Sequence, residues 1–517
     1  MNLKETVIGI ELGSTRIKAV MIGKDHTVLA QGDHVWVNEF VNGIWTYSLE
    51  DVKEGLQDCF ANLKKDVLEK YDTVLTETGA IGISGMMHGY LPLDAQGRQL
   101  CEFRTWRNTI TEEAAEKLSA LFDFNIPQRW SIAHLYQAIL NQEAHVKDIA
   151  GITTLAGYVH TLLTGENVMG IGEASGMFPI DSSKMCYDEG MVQKFNDLTG
   201  LDLLSLLPEI RLAGEAAGVL SESGALYLDP SGDLKPGIPF APCEGDAGTG
   251  MTATNSVRAN TGNISAGTSD FAMIVTEKKL HRHREIDMVT TPAGKPVAMV
   301  HCNNCTSDIN AWVTLFREVL GMFGQEPDSN TLFTKLFKAA LDGDPDCGGL
   351  LSFNYYSGEG VTDFNEGRLL FMRKPDSEFS LANFMRTHLS SAMATLKIGM
   401  DILNEEGVQI DKIYGHGGFF KTEEAGQRIL SAAIRTPVSV METAGEGGPY
   451  GMALLGAYLL WKEEGESLED YLEQKVFRDC ESVTLTASQE EMDGFTKFVS
   501  DYQNCLDVER KAVECWK

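Results

Sequence analysis

Two short apolar runs on either side of a Gly-Ser-Thr turn open the chain, VIGIEL at 7–12 and RIKAVMIG at 16–23. Such β-rich runs around a small-residue turn predict a hairpin. The pattern returns in the second half as TGNISAGTSDFAMIVT at 261–276, again strand, Gly-Thr-Ser, strand. Two copies imply duplication of one domain, with each half supplying an equivalent loop. Between them, VLTETGAIGISG at 74–85 predicts a buried strand, and helical patterns cover 111–122, 134–142 and GITTLAGYVHTLLTG at 151–165. The loop-rich stretch from Pro236 to Thr261 is the expected boundary, giving domains 1–255 and 256–517. Downstream, 307–322 and 378–405 read as helices, and KIYGHGG at 412–418 as a strand entering a Gly-rich turn. GQRILSAAI is a helix, PVSVME a strand, and GPYGMALLGAYLLW at 448–461 a helix whose small residues permit close packing. From Ser488 a capping box with Glu491 is expected, then a docked helix carrying Phe495, Phe498, Tyr502 and Leu506. The fold class is therefore α/β, two duplicated domains around a cleft.

Composition narrows the partners. A chain of 517 residues with 43% hydrophobic content can build two large cores. Its 43 basic and 74 acidic residues leave a formal charge of −31, which argues against nucleic acid or an anionic membrane as partner. A nucleotide would have to be held by backbone N–H groups, hydroxyls and Mg²⁺ rather than by a basic patch. The N-terminus has no signal-peptide pattern, and the ten cysteines are scattered, so the expected setting is the reducing cytoplasm.

Candidate chemistry begins at the two turns. In GIELGSTRIK, Gly13, Ser14 and Thr15 can form an anion nest, Lys18 can meet phosphate as a point charge, and Glu11 can hold Mg²⁺ directly or through water. A Gly-Ser turn alone is usually structural, and it is the second copy at Gly267, Thr268 and Ser269 that gives it weight. Asp246, in PFAPCEGDAGTGM, reads as a Gly-flanked loop residue just before a helix; it is either an N-cap or a general base for a sugar hydroxyl. Met87, His88 and Gly89 follow a strand and can line a polyol pocket, with Trp106 as an apolar wall and Arg107 and Asn108 as hydroxyl-binding groups.

Three other motifs read as structural. HCNNC at 301–305 has CxxC spacing but no second pair to complete a metal site. GIGEASG at 170–176 is GxGxxxG in mid-chain rather than a dinucleotide fingerprint. HRHR at 281–284 reads as a solvated loop.

Taken in order, GIELGSTRIK, GMMHG, TWRN, GEASG, EGDAGTG, SAGTSD, YSGEG, GHGGFFK and GEGGPYGMALLGA resemble the motif series of the FGGY carbohydrate kinases, from about residue 6 to about 460. That resemblance implies the actin-like, ribonuclease-H-like duplicated fold and an ATP- and Mg²⁺-dependent phosphotransferase. By its motifs the chain is most similar to the xylulose and ribulose kinases, so the implied reaction is phosphorylation of a ketopentose to its 5-phosphate. The resemblance makes Gly13, Ser14, Thr15 and Lys18 the first phosphate loop and Gly267, Thr268 and Ser269 the second. It makes Asp246 the catalytic aspartate, and Met87, His88, Gly89, Trp106, Arg107 and Asn108 sugar contacts. Gly415, Gly417 and Gly418 become adenosine-side glycines, and Gly358 and Glu359 border the nucleotide. A homodimer is common among such relatives. The chain departs from the pattern at Glu11, where the family usually has Asp, and at Arg107-Asn108, where the xylulose branch has Asn-Asp. The added positive charge keeps gluconate among the candidates, beside rhamnulose, fuculose and glycerol. A non-catalytic actin-like ATPase or sugar sensor is the rival of a different class.

Overall fold

The computed structural model describes residues 1–442 and 447–517. Its first sheet is built on the opening hairpin, β1 (Val7–Leu12) and β2 (Arg16–Ile22), with β3 (Val28–Val35), β4 (Ala80–Gly85) and β5 (Glu244–Gly245). The strand order is β5-β4-β1-β2-β3, with β1, β2 and β3 antiparallel and β4 and β5 added in parallel. The second sheet contains β6 (Thr261–Ala266), β7 (Asp270–Val275), β8 (Ile286–Thr290), β9 (Pro296–Cys302), β10 (Lys412–His416), β11 (Val438–Met441) and β12 (Ser482–Leu485). Its order is β8-β9-β7-β6-β10-β11-β12. The run β9-β7-β6-β10-β11 repeats β3-β2-β1-β4-β5, with the same antiparallel and parallel pairings in the same places. The duplication expected from the two turns is thus a duplication of whole sheets.

Five helices place the site. Helix α1 (Leu49–Tyr71) starts at Ser48, whose side chain accepts from the Asp51 N–H, and it buries Val52, Leu56, Cys59, Leu63 and Val67 against β3. That stripe at steps of three and four is the amphipathic signature of a helix lying on a sheet. Helix α2 (Asp246–Ala253) follows β5 directly, so the stretch read as loop-rich contains a short buried helix. Helix α3 (Leu381–Glu405) covers the second sheet. Helix α4 (Gly447–Trp461) returns to the first half and packs on β1, β4 and α2 within that half's core. Every residue from Pro449 to Tyr458 is buried, as an all-apolar helix requires. Gly445 and Glu446, at the head of this motif, lie outside the described residues. Helix α5 (Gln489–Asn504) begins with the expected capping box of Ser488 and Glu491. Leu506 starts a separate helix, and Gly151–Thr153 is a strand paired with Leu91–Leu93 rather than helix. No helix among the described residues is long and apolar enough to cross a membrane.

One ion cluster ties α1 to the loop after residue 228. Lys64 Nζ donates to both Asp229 oxygens at 3.0 and 2.8 Å, to Ser231 Oγ at 2.6 Å and to Asp233 Oδ2 at 2.9 Å. Asp229 is only 4% exposed. Lys64→Met leaves that carboxylate buried without its counter-charge, so a loss of about 2 kcal/mol is expected in urea unfolding.

Candidate active site

The two equivalent turns meet at one cavity. Ser14 and Ser269 both line a space of about 200 Å³ between the halves. Each turn is held by its own half. Gly13 N–H donates to Arg16 O, and its carbonyl accepts the Trp36 indole N–H at 2.7 Å, while Ser14 O accepts the Tyr47 hydroxyl. In the second turn Gly267 N–H donates to Ser269 O, and Thr306 and Cys305 brace the carbonyls of Gly267 and Thr268. Thr15 and Thr268 stay exposed. Lys18 is also exposed and stands across the β1–β2 ladder from Glu11.

Asp246 is the first residue of α2, with Gly245 in the N-cap position, so its carboxylate does not cap the helix. It points instead into the cavity, where Oδ1 accepts the Met87 N–H at 3.1 Å. The side chain is accessible to a ligand yet recessed among protein atoms. Burial pushes its pKa up, and the N–H groups of Met87, Ala247 and Asp246 itself oppose that rise. Behind it, burial raises Glu244 to about 8 and Glu173 well above the carboxylate range. Glu11 is likewise raised to about 8, first by burial and then by the Asp246 charge, with Lys18 opposing.

Met87 and His88 line the cavity. His88 takes a left-handed backbone, φ 74, and its Nδ1 lies 3.1 Å from Gly176 O. A carbonyl only accepts, so Nδ1 carries the hydrogen. Burial holds the imidazole neutral, which leaves Nε2 as an acceptor for a hydroxyl. Gly89 turns the chain with φ +101; a Cβ there would lie 2.8 Å from the Phe103 ring, and its backbone is tied to Arg129 O and Ser131. It shapes the loop without lining the cavity. Trp106 does line it, and its indole N–H reaches Ser14 Oγ at 3.3 Å.

Arg107 and Asn108, expected as sugar contacts, do not line this cavity. The Arg107 guanidinium lies 4.0 Å over the Trp45 ring. Asn108 is 2% exposed and bonds Trp45 N, Trp45 O and Thr105 O. Both belong to the packing of the β-hairpin at residues 39–46. The remaining walls are residues that the sequence did not single out for the site: Arg129 and Ala247 in the first half, and Phe271, Met299 and His301 in the second. Phe271 faces His301 across the β7–β9 ladder, and Met299 lies two residues from His301 on the same strand face. Alternation along β9 pairs the last two, but only the neighbouring half tells which face meets the cavity.

The Gly-rich turn after β10 lies beside the second Gly-Thr-Ser turn. Gly415 pairs with Ile264 and has the Phe420 ring where a Cβ would be, while Gly417, φ +98, faces the Ala266 carbonyl at the end of β6. Gly418 is open to solvent. Glu359 is buried behind this region, with Oε2 accepting from Asn303 N and Asn304 Nδ2, and Gly358 O accepting from Asn303 Nδ2.

Cys302 and Cys305 are buried free thiols, and HRHR forms surface bonds through His281 and His283 to Glu406 and Arg284 to Asp363. Among the described residues no group of three or more His, Cys, Asp or Glu side chains is arranged to hold a metal. Mg²⁺ in nucleotide enzymes needs only one or two carboxylates, the other positions being water and phosphate oxygen. Glu11 fits that role: it is a recessed carboxyl beside a second acid, which a dication would return to its charged form.

Comparison with known proteins bears on the same geometry. In sequence the chain is similar to the xylulose kinase of Haemophilus influenzae, 23% identical over 375 residues, covering 70% of this chain and 72% of that one. In structure it is similar to the xylulose kinase of Rhodospirillum rubrum, with a TM-score of 0.78 at 16% identity, covering 97% of this chain and 98% of that one. It is as similar to the gluconate kinase of Lactobacillus acidophilus, with a TM-score of 0.80 at 14% identity over the same shares. The family models for the N-terminal and C-terminal domains of the FGGY carbohydrate kinases match residues 6–252 and 262–460. With both halves matched and their turns on a common cleft, the chain belongs to the FGGY family of carbohydrate kinases, phosphotransferases that act on sugar hydroxyls and share the duplicated actin-like, ribonuclease-H-like fold.

Proposed function

We propose that this kinase phosphorylates an uncharged ketopentose, of the xylulose or ribulose class, to its 5-phosphate. One observation carries the reading: a cavity of about 200 Å³ has Asp246 and neutral His88 on it and a Gly-Ser/Thr turn from each half at its edge. The volume suits a five- or six-carbon sugar. Its walls pair apolar surfaces, Trp106 and Phe271, with hydroxyl partners.

In this reading the sugar lies between Trp106 and Phe271, and the transferred phosphoryl group lies between the two turns. Ser14, Thr15, Thr268 and Ser269 supply hydroxyls and N–H groups to the phosphates, and Lys18 a charge. Gly415, Gly417 and Gly418 leave room for the adenosine. Asp246 orients the attacking hydroxyl and takes its proton as the phosphoryl group transfers in line. Glu11 would hold Mg²⁺, and the ion would supply charge neutralisation to the phosphates. Closure of the halves about residue 255 keeps water from the phosphoryl group.

The test is ADP release over D-xylulose, L-ribulose, L-rhamnulose, L-fuculose, glycerol and D-gluconate. A ketopentose is expected to give the highest kcat/KM. A sugar-indifferent rate would favour the ATPase reading, and a higher value for any other sugar in the panel would replace the ketopentose. A second measurement follows from the raised Asp246 pKa. The base must be ionised, so kcat/KM for the sugar falls toward acid as that carboxylate protonates. The midpoint is expected above the ordinary aspartate value of 3.8.

A further inference from the structure

Helix α6 (Leu506–Cys515) lies beyond residue 460, where the match to the family models ends. Its one buried residue is Glu509, which is 0% exposed. A docked helix ordinarily buries apolar side chains, and a buried carboxyl is costly unless something pairs with it. Here the partner is a loop. Glu509 Oε1 accepts the Arg368 N–H. The next residue, Arg510, donates to Asp363 O at 3.0 Å and to Thr362 O at 3.1 Å, and its guanidinium lies 4.3 Å over the Phe364 ring. In return the Arg368 guanidinium donates to Trp516 O at 2.8 Å. Residues 362–368 are thus fastened to α6 at both ends.

That loop is a tight piece of chain. Glu359 and Phe364 exchange backbone hydrogen bonds at 2.7 and 3.0 Å across its neck. A Cβ at Gly358 would lie 2.6 Å from the Phe364 and Asn365 carbonyls, and one at Gly367 would lie 2.2 Å from Tyr355 Cβ. Packed this closely, the loop transmits a displacement rather than absorbing it. On its inner side the buried Glu359 carboxylate accepts the Asn303 N–H and the Asn304 amide, both at 3.0 Å. Those two residues run directly into Cys305 and Thr306, whose N–H groups hold Thr268 O at 2.9 Å and Gly267 O at 3.0 Å. Glu509 and the second Gly-Thr-Ser turn are therefore joined by an unbroken series of hydrogen bonds and short stretches of chain. Met87, His88 and Asp246 belong to the other half and are held there, by Met87 N–H on Asp246 and by His88 on Gly176 O.

We propose that Glu509 is a positioning residue for the phosphate end of ATP: through residues 358–368 and Asn303–Asn304 it fixes the second Gly-Thr-Ser turn. Nucleotide affinity then depends on a helix outside the matched domains, while sugar affinity does not. The assignment rests on the reading above of that turn as a phosphate holder.

The test uses the purified full-length chain and steady-state ADP release, with the KM of ATP and the KM of the best sugar of the panel above measured separately. Glu509→Ala is expected to raise the KM of ATP about 5- to 20-fold while the KM of the sugar stays within about twofold. Glu509→Gln keeps an acceptor oxygen for the Arg368 N–H and is expected to recover most of the loss. A mere loss of stability gives neither result, because fewer folded molecules lower the apparent kcat and leave both KM values unmoved. Asn304→Ala cuts the series in its middle. It is expected to raise the ATP KM by itself, and its combination with Glu509→Ala to raise it no further than the larger single effect. If Glu509→Ala does not fold by circular dichroism, Arg510→Met carries the test on the same criterion. An ATP KM raised at least about threefold, with the sugar KM within about twofold, supports the assignment. A smaller rise, or an equal rise in both KM values, overturns it, as does full additivity with Asn304→Ala. The double variant Thr268→Ala, Ser269→Ala checks the reading underneath. If it leaves the ATP KM unchanged, that turn is not a phosphate holder and the assignment fails with it; if it raises the ATP KM and Glu509→Ala does not, the assignment alone is overturned.

Discussion

Asp246→Asn is expected to yield a folded enzyme that binds sugar and turns it over at least about 100-fold more slowly. The amide oxygen can still accept the Met87 N–H that fixes this side chain, so the cavity keeps its shape. The missing function is proton acceptance from the attacking hydroxyl. Residual turnover should persist, because much of a phosphoryl transfer enzyme's rate comes from alignment and charge neutralisation by other groups. Calorimetric titration with sugar, beside kcat from ADP release, separates the two effects. Near-normal kcat would remove Asp246 from the role of base. Lost sugar binding with normal kcat at saturation would make it a binding residue instead.

Gly451→Ala is expected to destabilise the protein by at least about 3 kcal/mol, the upper range for overpacking a close-packed core. A Cβ at Gly451 would overlap the Thr249 carbonyl and lie 3.2 Å from Ala253 N, so backbone would have to move. Gly9 makes the matching contact on the opposite side of α4, where a Cβ would lie 2.5 Å from Ala453 N. Helix α4 therefore lies against β1 and α2 at glycine distance. Since α2 begins with Asp246, displacement of α4 also moves the proposed base, and kcat should fall with stability. Gly321→Ala is the contrast: it sits in an exposed helical position with nothing within 4 Å of the added methyl. There the change is expected to be neutral or stabilising by up to about 1 kcal/mol. Urea midpoints of the two variants decide the matter, and equal midpoints would refute the packing account.

Much of the scaffold was legible because its signals are local. The two hairpins announce themselves by β-rich runs around small turns, and each turn needs only its own neighbours to form. The capping box at Ser488 is a four-residue device that works wherever a helix starts there. Misreadings arose where a neighbour outranked local preference. Gly151–Thr153 is helix-compatible in isolation but pairs with Leu91–Leu93. Asp246 resembles a cap, yet Gly245 takes that position because β5 runs directly into α2. Arg107 and Asn108 carry polyol-binding chemistry, but the nearby Trp45 hairpin engages both.

By itself the order of residues determined the α/β class, the doubling, the pair of Gly-Ser/Thr turns and the acid at 246, since each depends on short stretches with strong conformational or chemical preferences. Tertiary structure alone decided which side chains share the cavity. Arg129, Phe271 and the pair Met299 and His301 come from a loop and two strands on two halves, and Asp287 reaches Arg129 from 158 positions further along the chain. Their apposition comes from the packing of two sheets and a returning helix, and long-range packing has no local pattern to read.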